Sequence, residues 1–474
     1  MNFAAVAAAR APASAFIIGD DGRDFSFGEF WRLSGRLAGA LLEAGAKPGD
    51  RVAVQVDKSV EAVALFYACV RAGLIFLPLN SAYTAAEISY FLNDAEPALF
   101  ITNKPALLGV KTLSLDDQGG GSLMQLAAGQ GDHFNDAFQF AHKLCAILYT
   151  SGTTGKSKGA MLSQGNLFSN AETLVEEWQF TPNDALIHAL PVYHTHGLFV
   201  AMNTMFLCGG KMFYRRKFDA GDVISLIPKA TALMGVPTFY TRLLQRPELD
   251  QNLCKNMRLF VSGSAPLLAE THRAFEGRTG HAILERYGMT ETNMITSNPY
   301  VGKRKPGTVG MALAGIELRL REDMIEVKGP NVTKGYWRNE DKTYASFQPG
   351  GWFMTGDLGA FDEDGYLVIS GRGSDLIITG GFNVYPKEIE EKIDAMPGVV
   401  ESAVIGLPHS DFGEAVTAVV VLEKGFMLDA QALMATLRET LAAFKIPKAI
   451  HFVDKLPRNT MGKVQKRMLR ETYG

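Results

Sequence analysis

The residues best suited to chemistry lie in Tyr149-Thr150-Ser151-Gly152-Thr153-Thr154-Gly155-Lys156-Ser157-Lys158-Gly159. Glycines let backbone N–H groups turn toward an anion; the hydroxyls of Thr150, Ser151, Thr153 and Thr154 add donors, and Lys156 adds charge. Such a stretch can grip phosphate. It is not a loop of the GxxxxGK[ST] type, because Gly152 stands only three residues before Gly155 and the position that loop requires is Thr150. Composition alone would also suit a flexible surface loop. The apolar run 144–148 before it, which reads as a buried strand, and the helix signals after Ser163 favour the phosphate reading.

A second cluster, Tyr287-Gly288-Met289-Thr290-Glu291, follows a strand-like run at 282–285. An adenine could stack on Tyr287, Thr290 could meet a phosphate, and Glu291 could hold Mg2+ between phosphates. Taken by itself the cluster also reads as a solvated turn. Thr355-Gly356-Asp357 is expected to end a strand, where a carboxylate suits the vicinal hydroxyls of a ribose. Arg372, at a glycine-rich joint, could reach ribose or phosphate. In Pro457-Arg458-Asn459-Thr460-Met461-Gly462-Lys463 a lysine follows a glycine. A mobile ammonium there could neutralise a departing pyrophosphate, although a lone lysine of this kind is usually solvated surface.

These residues need a frame. Strand-like runs at 51–56, 98–102, 144–149, 232–236, 259–262 and 282–285 alternate with helical patterns at 27–44, 60–72, 85–92, 165–178 and 267–276. The alternation predicts an α/β protein with a large N-terminal domain of helix-covered β-sheets. Short strands at 316–320, 324–328, 351–355 and 366–369 predict a small β-rich subdomain, and 386–441 predicts a small, mobile α+β C-terminal domain. The joint Gly371-Arg372-Gly373-Ser374-Asp375 places the boundary near Ser374, giving domains 1–373 and 374–474.

Composition narrows the class. With 47% hydrophobic and 20% charged residues the chain reads as an ordinary globular protein. A formal charge of −3 and the lack of a basic run argue against nucleic-acid binding. Cys69, Cys145, Cys208 and Cys254 are scattered through apolar segments and read as reduced, so a cytoplasmic protein is expected. Arg10 follows the apolar N-terminal residues, the wrong order for a secretory signal. The apolar stretch 60–79 is interrupted by Arg71 and Pro78, so no membrane span is expected.

As an ordered set, 149–159, Tyr287 to Glu291, Gly335-Tyr336-Trp337, Thr355-Gly356-Asp357, Gly371-Arg372 and Lys463 resemble the adenylate-forming acyl ligases: acyl-CoA synthetases, luciferases and peptide-synthetase adenylation domains. The resemblance covers essentially the whole chain. It implies ATP, Mg2+ and coenzyme A as reactants and cofactors. By that resemblance Lys463 is the adenylation lysine, Asp357 the ribose ligand, and Thr150 with 151–156 the phosphate grip. Gly288, Met289 and Arg372 join the nucleotide site, Thr150 joins Glu291 at the metal, and Thr150 and His196 count with Lys463 and Glu291 as catalytic. The family's hinge falls on Ser374, where relatives usually carry Asp or Lys, and Gly380-Gly381-Phe382 borders the pantetheine channel.

Arg286, directly before Tyr287, bears on the acid. An unpaired buried cation is costly, so it either pairs with a protein acid such as Glu285 or awaits a second carboxylate on the substrate. The segments 284–294, 191–199, 234–242 and 381–389 resemble the malonyl-CoA synthetases (malonate–CoA ligases). That resemblance implies malonate as substrate, with methylmalonate admitted, since one methylene is worth only ~1–3 kcal/mol. Ser262 and Gly263 line the pocket, Met289 and Met294 limit its depth, and His196 stands at the gate beside His194, although either histidine could be a satisfied polar residue. The rival is a short-chain or aromatic monoacid ligase in which Arg286 is structural. A nucleotide-binding module without turnover would be expected to lose Lys463 or Glu291, and both are present. Relatives carry a longer turn near 320–325, whose trimming should matter little. With the chain ending at Gly474 no fused carrier protein is expected; free CoA is the simplest acceptor and a separate carrier the alternative.

Overall fold

The computed structural model describes residues 6, 9–104, 109–137, 140–150, 157–379, 382–409, 412–459 and 462–474. Ser151, Gly152, Thr153, Thr154, Gly155, Lys156, Gly380 and Gly381 lie outside the described residues. The chain forms two compact units, Met1–Glu317 with Val327–Phe353, and Leu318–Glu326 with Met354–Gly474.

The first unit contains a nine-stranded sheet in the order Met311–Ala312, Asn293–Ser297, Leu284–Met289, Leu259–Ser262, Ala232–Gly235, Ala185–His188, Lys211–Tyr214, Ala15–Ile18, Asp24–Ser26. From Leu284–Met289 to Ala15–Ile18 every neighbour runs parallel, so these strands end on one edge of the sheet, where open α/β folds bind ligands. A six-stranded sheet carries Thr112–Ser114, Leu99–Thr102, Arg51–Gln55, Ile75–Pro78, Leu144–Thr150 and Lys158–Ser163. Its helix Val60–Ala72 is buried on all sides, which explains why its sequence is apolar all round. Ser163 caps the helix Gln164–Glu177 in a reciprocal box with Asn166.

Several expected boundaries move. The strand expected to stop at 285 is Leu284–Met289, so Tyr287, Gly288 and Met289 lie within it; pairing with Asn293–Ser297 extends the ladder. The strand expected at 351–355 is Trp352–Phe361, which places Asp357 in mid-strand, paired in register with Arg372. Lys158–Ser163 forms a strand antiparallel to Leu144–Thr150, ahead of the helix Gln164–Glu177.

In the second unit, Gly413–Leu422 lies between Val399–His409 and the parallel strand Ala449–Val453. Helices Pro386–Asp394 and Ala430–Arg438 cover one face, through Ile389, Ile393, Leu433 and Leu437 on Val404 and Val420. Leu469 of Lys466–Tyr473 covers the other, on Ala403, Ile405, Val419 and Val421. The turn near 320–325 is tight, with Glu322 at φ 50° and Asp323 at φ 63°. All four cysteines are buried free thiols. No described helix is long and apolar enough to cross a membrane.

A buried lysine organises the segment after Ala185–His188. Lys58 Nζ donates to His188 Nδ1 at 2.9 Å, His188 O at 2.9 Å and Arg215 O at 2.7 Å, and lies 4.2 Å from the centre of the Tyr214 ring. His188 Nε2 donates to Gly197 O at 2.9 Å, which leaves Nδ1 bare to accept from Lys58. Burial and then Lys58 hold His188 neutral, down to about 3. Gly197 O thus serves a side chain, and the helix carrying it, His196–Ala201, is wound as a π-helix. Gly197 admits no side chain, because a Cβ there would sit 2.0 Å from Pro191 O. Lys58→Met is expected to destabilise the protein by about 2–4 kcal/mol in denaturant unfolding, because His188 Nδ1 and Arg215 O lose this donor and His188 O keeps only the Arg215 N–H. Wild-type stability in that variant would contradict this account.

Candidate active site

Strand ends and the turns that follow them build the site in the first unit. Leu259–Ser262 delivers Ser262, Gly263 and Ser264; Leu284–Met289 delivers Arg286; and the π-helix delivers His196. Arg286 is 3% exposed, His196 1% and Ser262 0%, so each polar group needs a partner. Arg286 Nε and Nη2, His196 Nε2 and Ser262 Oγ have none among the described residues. Burial pulls the Arg286 guanidinium down to about 9, opposed only by Tyr240, which leaves it positive at neutral pH. His196 is pushed well below the usual imidazole range by burial first, then by Arg286. The guanidinium lies against Gly263, where a Cβ would come within 2.4 Å of Arg286 Cζ.

The alternative of a protein counter-ion is not met. No carboxylate pairs with Arg286 among the described residues, while Glu285 Oε1 accepts from the Leu267 N–H at 3.3 Å. Met294 is buried and pinned through its backbone by Asn170; Met289 is half-buried at the strand end.

The same unit brings Thr150 and Glu291 together. Thr150 ends Leu144–Thr150, and Glu291 sits in the turn between Leu284–Met289 and Asn293–Ser297. Glu291 Oε1 accepts from Thr150 Oγ1 at 3.4 Å and from Tyr336 Oη at 3.0 Å. Tyr287 is buried, Thr290 is half-buried, and Gly288 is obligatory, since a Cβ there would lie 1.9 Å from Asn293 O. The described residues hold no group of three or more metal-ligating side chains. A lone carboxylate beside a hydroxyl suits a hard cation that keeps its waters and shares a substrate's phosphates.

The second unit gathers Asp357, Arg372 and Lys463. Arg372 Nε meets Asp357 Oδ1 at 3.1 Å. Gly462 at φ 75° and the bond from Lys463 N to Asn459 Oδ1 at 2.9 Å shape the loop carrying Lys463. Burial and the Arg372 charge pull the ammonium down to about 8, against Asp357 and Asp375. Asp375 is itself held by Arg470 at 2.8 Å, and Ser374 beside it is exposed. Phe382 stacks on Phe444 at 4.5 Å.

Sequence reasoning missed Ser264, Lys58 and His188, and quoted Tyr336 without a role. Their signal is three-dimensional, since each acts through a partner at least 45 positions away, as Tyr336 does through Glu291.

The model of the AMP-binding enzyme family matches residues 4–337, and that of the AMP-binding enzyme C-terminal domain matches 388–463. The chain is similar to ATP-bound MatB from Rhodopseudomonas palustris, with 55% identity and a TM-score of 0.97, covering 100% of this chain and 99% of that one. It is 33% identical to a long-chain-fatty-acid–CoA ligase of Bacillus subtilis (strain 168), over 95% of this chain and 90% of the relative. It is 32% identical to a malonate–CoA ligase of Arabidopsis thaliana, over 95% of this chain and 85% of the relative. Near-equal identity to relatives named for a long apolar acid and a short diacid leaves the acid to be argued from the pocket. The matched models, the α/β architecture and the conjunction of Thr150 with Glu291 agree: this chain belongs to the AMP-binding enzyme family.

Proposed function

We propose that the protein is an ATP-dependent malonate–CoA ligase that forms malonyl-CoA, AMP and pyrophosphate through a malonyl-adenylate, and that it also admits methylmalonate. The observation that carries this reading is Arg286, buried with Nε and Nη2 lacking partners, beside His196 Nε2 and Ser262 Oγ. An acceptor-only anion of small size satisfies all of these groups, and a fatty or aromatic tail satisfies none. Relatives named malonate–CoA ligase support the same choice.

The reaction divides in two. One malonate carboxylate attacks the α-phosphorus of ATP; a P–O bond forms and the bond to pyrophosphate breaks. The CoA thiol then attacks the acyl carbon, loses its proton and displaces AMP. The other carboxylate stays on Arg286 throughout, within a pocket lined by Ser262, Gly263 and His196 and limited by Met289 and Met294. Thr150 and 151–156 hold phosphates; Tyr287, Gly288, Met289 and Thr290 hold the nucleotide; Asp357 and Arg372 hold the ribose. Glu291 with Thr150 would hold Mg2+, which supplies charge neutralisation at the phosphates. Lys463 stabilises charge as pyrophosphate departs.

Lys463 has no evident task once pyrophosphate has gone. A lid of 374–474 that turns about Ser374 would withdraw it and bring Gly380 and Gly381 to the pantetheine arm. The buried thiols suit a reducing compartment such as the cytoplasm.

Four outcomes follow from these roles. Arg286→Met, assayed by pyrophosphate release, should lose about 2–5 kcal/mol in kcat/KM for malonate, roughly 30-fold or more. It should also gain about 1–4 kcal/mol of stability without ligand, because an uncompensated charge has left the interior. Retained malonate turnover in that variant would sink the diacid reading. Lys463→Ala should abolish malonyl-adenylate formation yet still make thioester from supplied malonyl-adenylate; equal loss of both halves would refute the division of labour. Lys463 is charged below about 8 and neutral above it. Adenylation kcat/KM for ATP should therefore fall about tenfold per pH unit above that point, and a profile flat to pH 10 would contradict a lysine lowered this far.

A further inference from the structure

Arg286 supplies the cation and Ser262 a hydroxyl, and whether His196 adds a further donor depends on which of its nitrogens carries the proton. Ser264 bears on that choice. It follows Gly263, on which the Arg286 guanidinium rests, and its backbone sits at φ 72°, a conformation costly for serine. Its hydroxyl meets His196 Nδ1 at 3.2 Å, the acceptor the described structure gives it. Were Nδ1 protonated instead, the Ser264 hydroxyl would lose this acceptor among the described residues. A bare Nε2 would then be expected to accept from the nearby Arg286, yet Nε2 of His196 and Nε and Nη2 of Arg286 all lack partners.

We infer that Ser264 is a specificity-determining positioning residue: its hydroxyl donates to His196 Nδ1 and fixes the neutral ring with Nε2–H as a further donor, beside Arg286, for the carboxylate that does not react. The inference rests on the diacid reading above. Neutrality matters, because a protonated ring would place a second uncompensated charge beside Arg286. A neutral N–H adds a hydrogen bond that a diacid satisfies, and a monoacid leaves it buried and unpaired, which penalises the wrong substrate. The strained φ fits this role, since it places a hydroxyl where the relaxed alternative, glycine, would place none.

The test uses the full chain and Ser264→Gly, in which glycine accepts the backbone angle without strain, so the thermal midpoint should not fall. Pyrophosphate release with malonate and with butyrate gives the ratio of the two kcat/KM values. In Ser264→Gly that ratio should fall about tenfold, chiefly through a higher KM for malonate. Nitrogen-15 NMR of histidine-labelled protein, with His196 identified by its loss in His196→Gln, should show an unprotonated Nδ1 and a protonated Nε2 in the wild type, and a mixture in Ser264→Gly. An unchanged ratio, or a protonated Nδ1 in the wild type, overturns the inference while leaving the diacid reading standing. A wild type that turns over butyrate as readily as malonate overturns both.

Discussion

An arginine removed from water without a counter-charge is the constraint from which the chemistry of this pocket follows. Arg286 is held almost entirely out of solvent, against a glycine where a side chain would clash with it. In the unliganded protein this is a standing cost, of the kind that a buried, unpaired ion always imposes. The cost becomes selectivity when a ligand can cancel it. A second carboxylate does so in one contact, and the neighbouring hydroxyl and imidazole N–H leave little for any group that is not an acceptor.

Topology explains why these groups converge. Parallel strands bring His188, Ser262 and Arg286 to the same edge of one sheet, although they are scattered along the chain from 188 to 286. The π-helix that follows His188 is tied back to that histidine through Gly197, and Lys58 fixes which nitrogen makes the tie. The pocket is therefore supported by a second set of buried hydrogen bonds that never touch a ligand. In the other unit, Asp357 and Arg372 face each other across a strand pair, with Lys463 beside them. In the proposed ligase the first group selects the acid and the second neutralises charge as pyrophosphate leaves.

Much of this was legible in the sequence where short-range rules decide. The apolar runs at 259–262 and 60–72 coincide with the observed strand and helix, because buried elements need continuous apolar residues. Arg286 stood out because a cation beside an apolar run demands an explanation. Boundaries were harder. Whether Tyr287 lies in a strand or after it depends on pairing with Asn293–Ser297, which no local pattern encodes. Asp357 likewise sits in mid-strand because of its partner strand Leu367–Arg372. Ser264 and Lys58 were invisible for the same reason, since a serine after a glycine and a lysine before a helix look like ordinary surface residues.

The buried cysteines have a consequence for an enzyme that handles an activated acyl group. Cys69, Cys145, Cys208 and Cys254 are all shielded, and burial raises their ionisation, to about 11 for Cys208 and Cys254 and further for the other two. At neutral pH they remain un-ionised, and only the thiolate is a competent nucleophile. The mixed anhydride therefore finds no rival sulfur on the protein that made it. Self-acylation, a natural hazard of holding so reactive an intermediate, is suppressed by where these side chains sit.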